Sequence, residues 1–207
     1  MSSPQSNPSD PVELYYEAQR LRNEGNPKSA IQCYGECLEL LHRTKDVLAE
    51  MRILMEMEEL FEVREEHTKA MNCLKICLEY AEELGQKYEK SIVLHRMGHL
   101  FYRKDKYEKA LERFNDSMQL SRSLGDQRGF GLSRAMLGKI QLSLGEVNEG
   151  LGMMVESLST LYAVKAPEWD ILKGQIRACS KRIPRSMYEL IVRTKTDNTE
   201  VISLLLS

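Results

Sequence analysis

The feature that most constrains this chain is an internal repeat with a period of forty residues. Each copy has a small residue at the same point, followed four and eight positions later by large apolar residues. A spacing of four places side chains on one face of a helix, and a small residue on that face lets a second helix pack closely. These small anchor residues are Ala30, Ala70, Ala110 and Gly150.

A second apolar stripe precedes each anchor, and turn residues separate the two stripes. In the third copy this stripe contains Leu94, Met97 and Phe101. In the first copy, Asn26 before Pro27 is suited to cap a new helix. Each copy is therefore predicted to be a pair of helices. The predicted helices span residues 11–24, 27–43, 47–64, 67–84, 87–103, 106–123, 127–143 and 146–163.

Glycines mark the ends of two of these pairs. Gly85 and Gly125 each follow a leucine at the end of an apolar stripe, where a left-handed residue commonly stops a helix. Asp126 is then placed to cap the next helix. The chain is therefore predicted to reverse direction at regular intervals.

A single helix pair cannot bury its apolar face, whereas stacked pairs share one continuous core. We therefore expect an all-α fold, a right-handed α-α superhelix of four helix pairs with C-terminal capping helices. Past Pro167 the period is lost, and one narrow apolar stripe predicts a capping helix that Pro184 ends. The expected organisation is a flexible tail over 1–10, an array over 11–166 with units of about 11–46, 47–86, 87–126 and 127–166, and capping helices over 167–207.

The third copy resembles the tetratricopeptide repeat (TPR) superfamily. It carries Leu94, Met97-Gly98, Phe101, Tyr107, Ala110-Leu111 and Phe114. The long period and the Leu-Gly-Asp and Leu-Gly-Gln turns resemble the subclass of Pins/LGN-type and rapsyn-type adaptors. The resemblance covers about residues 11–165, and it implies a solenoid that binds partner proteins.

In that family the first helix of each pair lines a concave surface, so the resemblance implies a groove that holds a partner peptide. Aromatic, thioether and basic side chains there are suited to peptide binding, although we expect some of them to pack between repeats. Chaperone-tail binding is not implied, because Glu59 would repel a carboxylate at a clamp position. The groove residues are Tyr15, Gln19, Arg22, Arg52, Met55, Glu59, Glu62, His95, His99, Tyr102, Arg103, Lys139 and Leu142.

Two sets of side chains have the spacing of metal ligands. His95 and His99 are four residues apart, and so are the cysteines of two successive copies, Cys33 with Cys37 and Cys73 with Cys77. We favour groove contacts for the histidines and close packing for the cysteines, because a buried free cysteine behaves as a small hydrophobe. No metal site and no cofactor are therefore expected.

Catalytic motifs are missing from the sequence. It contains no nucleophile elbow, no phosphate-binding loop and no dinucleotide fingerprint after a strand. The chain is therefore predicted not to be an enzyme and to have no catalytic residue.

Charge and composition narrow the partner class. The chain has 29 Lys and Arg against 31 Asp and Glu, which argues against a nucleic-acid partner. No apolar stretch is long enough to span a membrane, and the start has no signal-peptide pattern. Five cysteines without a secretory context indicate reduced thiols, so we expect a cytoplasmic protein.

The predicted function is that of a non-catalytic scaffold or adaptor whose ligand is a protein or peptide. Two alternatives stay open. One is a self-associating structural scaffold, which would use apolar surface exposed at the ends of the array. The other is a metal-binding or regulatory subunit of an enzyme.

Overall fold

The computed structural model describes residues 10–207, so the predicted flexible tail over 1–10 lies outside the described residues except for Asp10. Within this part of the chain the structure contains helices and turns and no strand. Each of the first eight helices begins and ends within one residue of its predicted bounds, and the prediction of an all-α chain is confirmed. The helices are α1 (Pro11–Asn23), α2 (Pro27–Thr44), α3 (Val47–Val63), α4 (His67–Glu83), α5 (Lys87–Tyr102), α6 (Tyr107–Leu124), α7 (Gln127–Ser143), α8 (Val147–Ala163), α9 (Glu168–Ser180), α10 (Arg185–Lys195) and α11 (Thr199–Leu206).

The chain divides into two compact units, Met1–Gly85 and Gln86–Ser207. In the first unit α1 packs on α2 and α3 packs on α4. In the second unit α5 packs on α6 and α7 packs on α8, and α9 and α10 both contact α8. None of the helices within residues 10–207 is both long enough and apolar enough to cross a membrane.

A residue with a left-handed backbone recurs at the turns every twenty residues, alternately within and between helix pairs. The predicted left-handed glycines are confirmed, with φ of 64° at Gly85 and 72° at Gly125. Most of the repeat helices are closed by a bond from the N–H just after the left-handed residue to a carbonyl in the last turn, as from Asn26 to Leu21 at 2.9 Å. Left-handed residues stand within pairs at Gly25, Glu65, Asp105 and Gly145, and between pairs at Lys45, Gly85, Gly125 and Lys165.

The two predicted helix caps are confirmed. The side-chain oxygen of Asn26 accepts from the backbone N–H of Ser29 at 3.3 Å, and that of Asp126 accepts from Gly129 at 3.0 Å. Each bond satisfies a donor that the first turn of a helix leaves free. The caps thus fix where α2 and α7 begin.

Small residues meet where the two helices of a pair cross. The anchors Ala30, Ala70 and Ala110 are fully buried, and Gly150 is buried as well. In the second unit the apolar core continues from α8 into the C-terminal helices through Leu172, Ile176, Tyr188, Val192, Val201 and Leu205. These helices therefore complete the core of their unit.

One predicted boundary is wrong. Helix α9 ends at Ser180, whereas the sequence predicted that Pro184 would end it. A residue before proline avoids the helical conformation, so Ile183 could not extend the helix. The chain leaves α9 earlier, in a turn that Arg182 closes by donating its N–H to the carbonyl of Cys179 at 3.0 Å.

Candidate functional site

In the first unit, several predicted groove residues on α1 and α3 bond to one another. Gln19 donates its side-chain N–H to the hydroxyl of Tyr15 at 2.6 Å. Arg22 donates to a carboxylate oxygen of Glu59 at 2.6 Å and also pairs with Glu56. These ion pairs link α1 to α3.

A cleft of about 300 Å³ lies beside these residues in the first unit. It is lined by the predicted groove residues Tyr15 and Arg52, and by Val12 and Tyr16, which are exposed. Met55 and Glu62 are half-buried on α3 outside this cleft. The start of α1 therefore presents an apolar surface next to the charged pairs.

The second unit contains a pocket of about 150 Å³, here termed the inner pocket, to which α5, α7, α8 and α9 contribute. It gathers three predicted groove residues, His95, His99 and Lys139. The remaining lining is mainly aliphatic, with one amide and one carboxylate. These residues are Leu132, Ala135, Met136, Leu161, Glu168, Ile171, Leu172 and Gln175.

His95 is held by both of its ring nitrogens. Its Nδ1 lies 2.9 Å from the hydroxyl oxygen of Ser133, and its Nε2 lies 3.2 Å from Nε2 of His99. Both imidazoles meet the ring of Phe114, with centroids 5.2 and 5.4 Å away. Burial, reinforced by nearby positive charges, lowers the pKa of His95 to about 3, so this imidazole is neutral at physiological pH.

The contact between Ser133 and His95 does not form a nucleophile–base pair. The hydroxyl of Ser133 is fully buried and also lies 3.0 Å from that of Ser117. Ser117 in turn bonds to the backbone carbonyl of Ser91 at 2.8 Å. An imidazole with so low a pKa is a weak general base at neutral pH, so this hydroxyl network is structural.

The contact between His95 and His99 is also relevant to the alternative that this chain binds a metal ion. A metal ion bound by both Nε2 atoms would have to displace the bond between His95 and His99. Among residues 10–207, no group of three or more His, Cys, Asp or Glu side chains is arranged to hold a metal ion.

The cysteines occupy a repeated packing position. The thiol of Cys37 lies 3.2 Å from the carbonyl oxygen of Pro11, and that of Cys77 lies 3.6 Å from the carbonyl oxygen of Met51. Ser117 makes the same type of bond at the same repeat position. Each of these side chains therefore contacts the first helix of its own pair.

Lys139 contributes a positive charge to the lining of the inner pocket. Burial lowers the pKa of its ammonium group, and no described carboxylate pairs with it. Glu168, which lines the same pocket, pairs instead with Arg128, whose Nε lies 3.2 Å from Oε2. The side-chain oxygen of Gln175 is buried and accepts no hydrogen bond from the described part of the protein.

The other predicted residues of the second unit lie outside the inner pocket. Tyr102 and Leu142 are half-buried and pack against core clusters, and Arg103 is exposed at the end of α5. The sequence prediction missed Gln175, although it stands two periods after His95. Extending the forty-residue register past the point where the apolar pattern fades would have found it.

Known structures share this fold. The crystal structure of BtubC (BKLC) from P. vanneervenii matches with a TM-score of 0.72 and 16% identity, over 94% of this chain and 82% of that chain. The apo form of RapI matches with a TM-score of 0.71 and 16% identity over 92% of this chain, which spans 55% of the RapI chain. A Podosopora anserina putative kinesin light chain with nearly identical TPR-like repeats matches with a TM-score of 0.66 and 11% identity, over 91% of this chain and 95% of that chain. The predicted fold class, an all-α solenoid of tetratricopeptide type, is confirmed.

Sequence comparison gives a family. A search of curated proteins found no match. A family model described as the Suppressor of spindle checkpoint defect 1 C-terminal domain matches residues 20–125, just over half of the chain. The matched range runs from α1 to the end of α6. The chain therefore belongs to the family of the Suppressor of spindle checkpoint defect 1 C-terminal domain.

Proposed function

We propose that this chain is a non-catalytic scaffold or adaptor that binds a segment of a partner protein on the first helices of its pairs. The observation that carries this proposal is the inner pocket, which Lys139 and Gln175 line together with aliphatic side chains. Within residues 10–207 the Lys139 ammonium has no ion-pair partner, and the Gln175 side-chain oxygen has no hydrogen-bond donor. Ligand sites commonly combine apolar walls with a few unsatisfied polar groups. A peptide supplies both apolar side chains and backbone hydrogen bonds.

The proposed contact residues differ in whether an ion pair within the protein already engages their side chains. In the second unit, Lys139, Gln175 and His99 line the inner pocket directly. In the first unit, Arg22 and Glu59 already pair with each other, so a partner gains little by contacting either charge. Tyr15 and Arg52, which line the cleft beside α1, are therefore the proposed contacts there.

The family and the repeat type support an adaptor role. The forty-residue period and the Leu-Gly turns resemble Pins/LGN-type and rapsyn-type adaptors. The matching family is named for a suppressor of a spindle checkpoint defect, so proteins of that checkpoint are the first partners to test. The nearly balanced charge supports a protein partner rather than a nucleic acid, and the five cysteines support a location in the cytoplasm. Residues 167–207 are proposed to cap the array.

Site-specific photo-crosslinking tests the proposal. A benzoylphenylalanine is placed at Ile171, which is 66% exposed at the inner pocket, and in a control at Leu190 on α10, which is 63% exposed. Irradiation in cell extract is expected to give a discrete adduct from position 171 alone. No adduct from that position, or the same adducts from both, would contradict peptide binding at the inner pocket.

Self-association is a second candidate, favoured by the exposed apolar side chains at the start of α1. Val12 and Tyr16 flank the cleft of the first unit. If this surface joins two copies, the mass measured by light scattering rises with concentration, and Tyr16→Lys abolishes the rise. Val63→Lys, at an exposed apolar residue at the end of α3, is the control and should leave the mass unchanged.

A further inference from the structure

We infer that the inner pocket receives the side-chain carboxylate of an aspartate or glutamate in the partner segment. The inference rests on the function proposed above, and it adds the class of residue that occupies the pocket. It depends on the charge of Lys139, on the free oxygen of Gln175 and on the size and walls of the pocket.

The charge balance of the pocket favours an anion. Lys139 has lost part of its hydration and has no counter-ion within residues 10–207. Glu168 is engaged by Arg128, and His95 is neutral. Burying an unpaired charge is costly, and a carboxylate that binds the ammonium offsets this cost through a charge-assisted hydrogen bond.

The free oxygen of Gln175 restricts the anion to one that brings a donor. A free carboxylate ion or a nucleic-acid phosphodiester at neutral pH offers only acceptor oxygens, and it would leave this buried oxygen unpaired. An acidic residue within a peptide supplies both groups, because its backbone N–H donates while its carboxylate accepts. The inference therefore favours an acidic side chain in a peptide over a free carboxylate ion or a nucleic-acid phosphodiester.

The size and walls of the pocket fit one such side chain. Its volume of about 150 Å³ is enough for one side chain, since a cavity of about that size can hold a benzene ring. Leu132, Leu161, Ile171 and Leu172 surround the polar groups, which suits an acidic residue with an aliphatic neighbour in the partner. These aliphatic walls also lower the local polarity, which strengthens a bond between Lys139 and a carboxylate.

Titration of isotope-labelled protein with two small probes tests the inference. N-acetyl-aspartate N′-methylamide carries the carboxylate and the amide donor, and N-acetyl-asparagine N′-methylamide is its uncharged counterpart. The acidic probe is expected to give saturable shifts of the Gln175 side-chain amide in NMR spectra. Its affinity should exceed that of the neutral probe by at least about tenfold, because a hydrogen bond to a charged group is stronger than one to a neutral group.

Two lysine variants provide the matched comparison. Lys139→Met keeps the aliphatic stem and is expected to abolish the preference for the acidic probe. Lys173→Met is the control, because Lys173 already pairs with Asp170 at 2.7 Å and does not line the inner pocket. This variant should bind like the wild type.

Three results would overturn the inference: equal shifts with both probes, no shift with the acidic probe, or a preference that survives in Lys139→Met. Binding of N-acetylalanine in place of the aspartate probe would assign the pocket to a terminal carboxylate instead. If photo-crosslinking from Ile171 persists while the acid preference is absent, this inference fails and the proposed function stands. Loss of crosslinking overturns the proposed function itself.

Discussion

Gly138 and Gly150 face each other where α7 crosses α8. A Cβ atom built on Gly150 would lie only 2.6 Å from the carbonyl oxygen of Gly138 and 2.8 Å from the backbone nitrogen of Leu142. Both of these atoms belong to backbone, which cannot move aside as a flexible side chain can. The glycine at this anchor, where the other copies have alanine, therefore reflects a closer approach of the two helices.

Gly150→Ala should destabilise the protein although it restores the residue that the other repeats carry. The added methyl group would overlap backbone atoms, and such overpacking costs about 1–3 kcal/mol. Gly174→Ala is the control, because a Cβ there meets no atom within 4 Å and helix propensity favours alanine by about 0.5–1 kcal/mol. Urea unfolding should show opposite shifts of the midpoint. A rise for Gly150→Ala would mean that α7 and α8 separate easily.

The helices were predictable because each boundary has a local cause. Asn26 and Asp126 cap helices through hydrogen bonds to residues three positions later. Gly85 and Gly125 form left-handed turns, and glycine at these positions is readily recognised in the sequence. The repeat then locates the remaining turns, even where Glu65 stands in place of glycine.

The candidate site was less predictable because it depends on pairings between distant residues. Three residues of the predicted groove, His95, His99 and Lys139, line one pocket. Glu168, which lines the same pocket as Lys139, pairs with Arg128, forty residues away in the chain. Tertiary packing decides which cation a carboxylate pairs with, and no local sequence pattern reveals it.

Tyr80→Phe should destabilise the first unit through the loss of one buried bond. The hydroxyl of Tyr80 donates to a carboxylate oxygen of Glu50 at 2.9 Å, and Glu50 is only 5% exposed. A buried charged group that loses its donor costs about 1–3 kcal/mol. Tyr162→Phe removes the same kind of bond to the exposed Glu200 and should change stability by less than about 0.5 kcal/mol. If chemical denaturation gives the same loss in the free energy of unfolding for both variants, burial does not determine the strength of this hydrogen bond.

Glu65→Gly should stabilise the protein by relieving the backbone of one turn. Glu65 has a φ of 60°, which costs a residue with a Cβ atom about 1–2 kcal/mol, and the greater freedom of glycine in the unfolded chain offsets part of the gain. A net increase of about 0.5 kcal/mol in the free energy of unfolding is expected. The matched control is Lys75→Gly in the middle of α4. This variant should lower the free energy of unfolding by about 1 kcal/mol. A loss of stability in both variants would mean that the turn is not strained.

The pH dependence of stability should carry the signature of His95. Its pKa in the folded chain is about 3, against an ordinary value of 6.5, so below pH 6.5 the unfolded chain binds a proton that the folded chain does not. The stability that this neutral imidazole contributes is complete above pH 6.5 and is lost as the pH falls from there toward 3.

Between pH 6.5 and 5.5 this linkage should lower the free energy of unfolding by about 1 kcal/mol in the wild type. His95→Gln, which keeps a side chain able to bond to Ser133, should remove that part of the pH dependence. His42→Gln, at an exposed histidine in the first unit, should retain it. Urea midpoints measured at both pH values decide the matter, because parallel pH profiles for the wild type and the His95→Gln variant would mean that folding does not lower the pKa of His95.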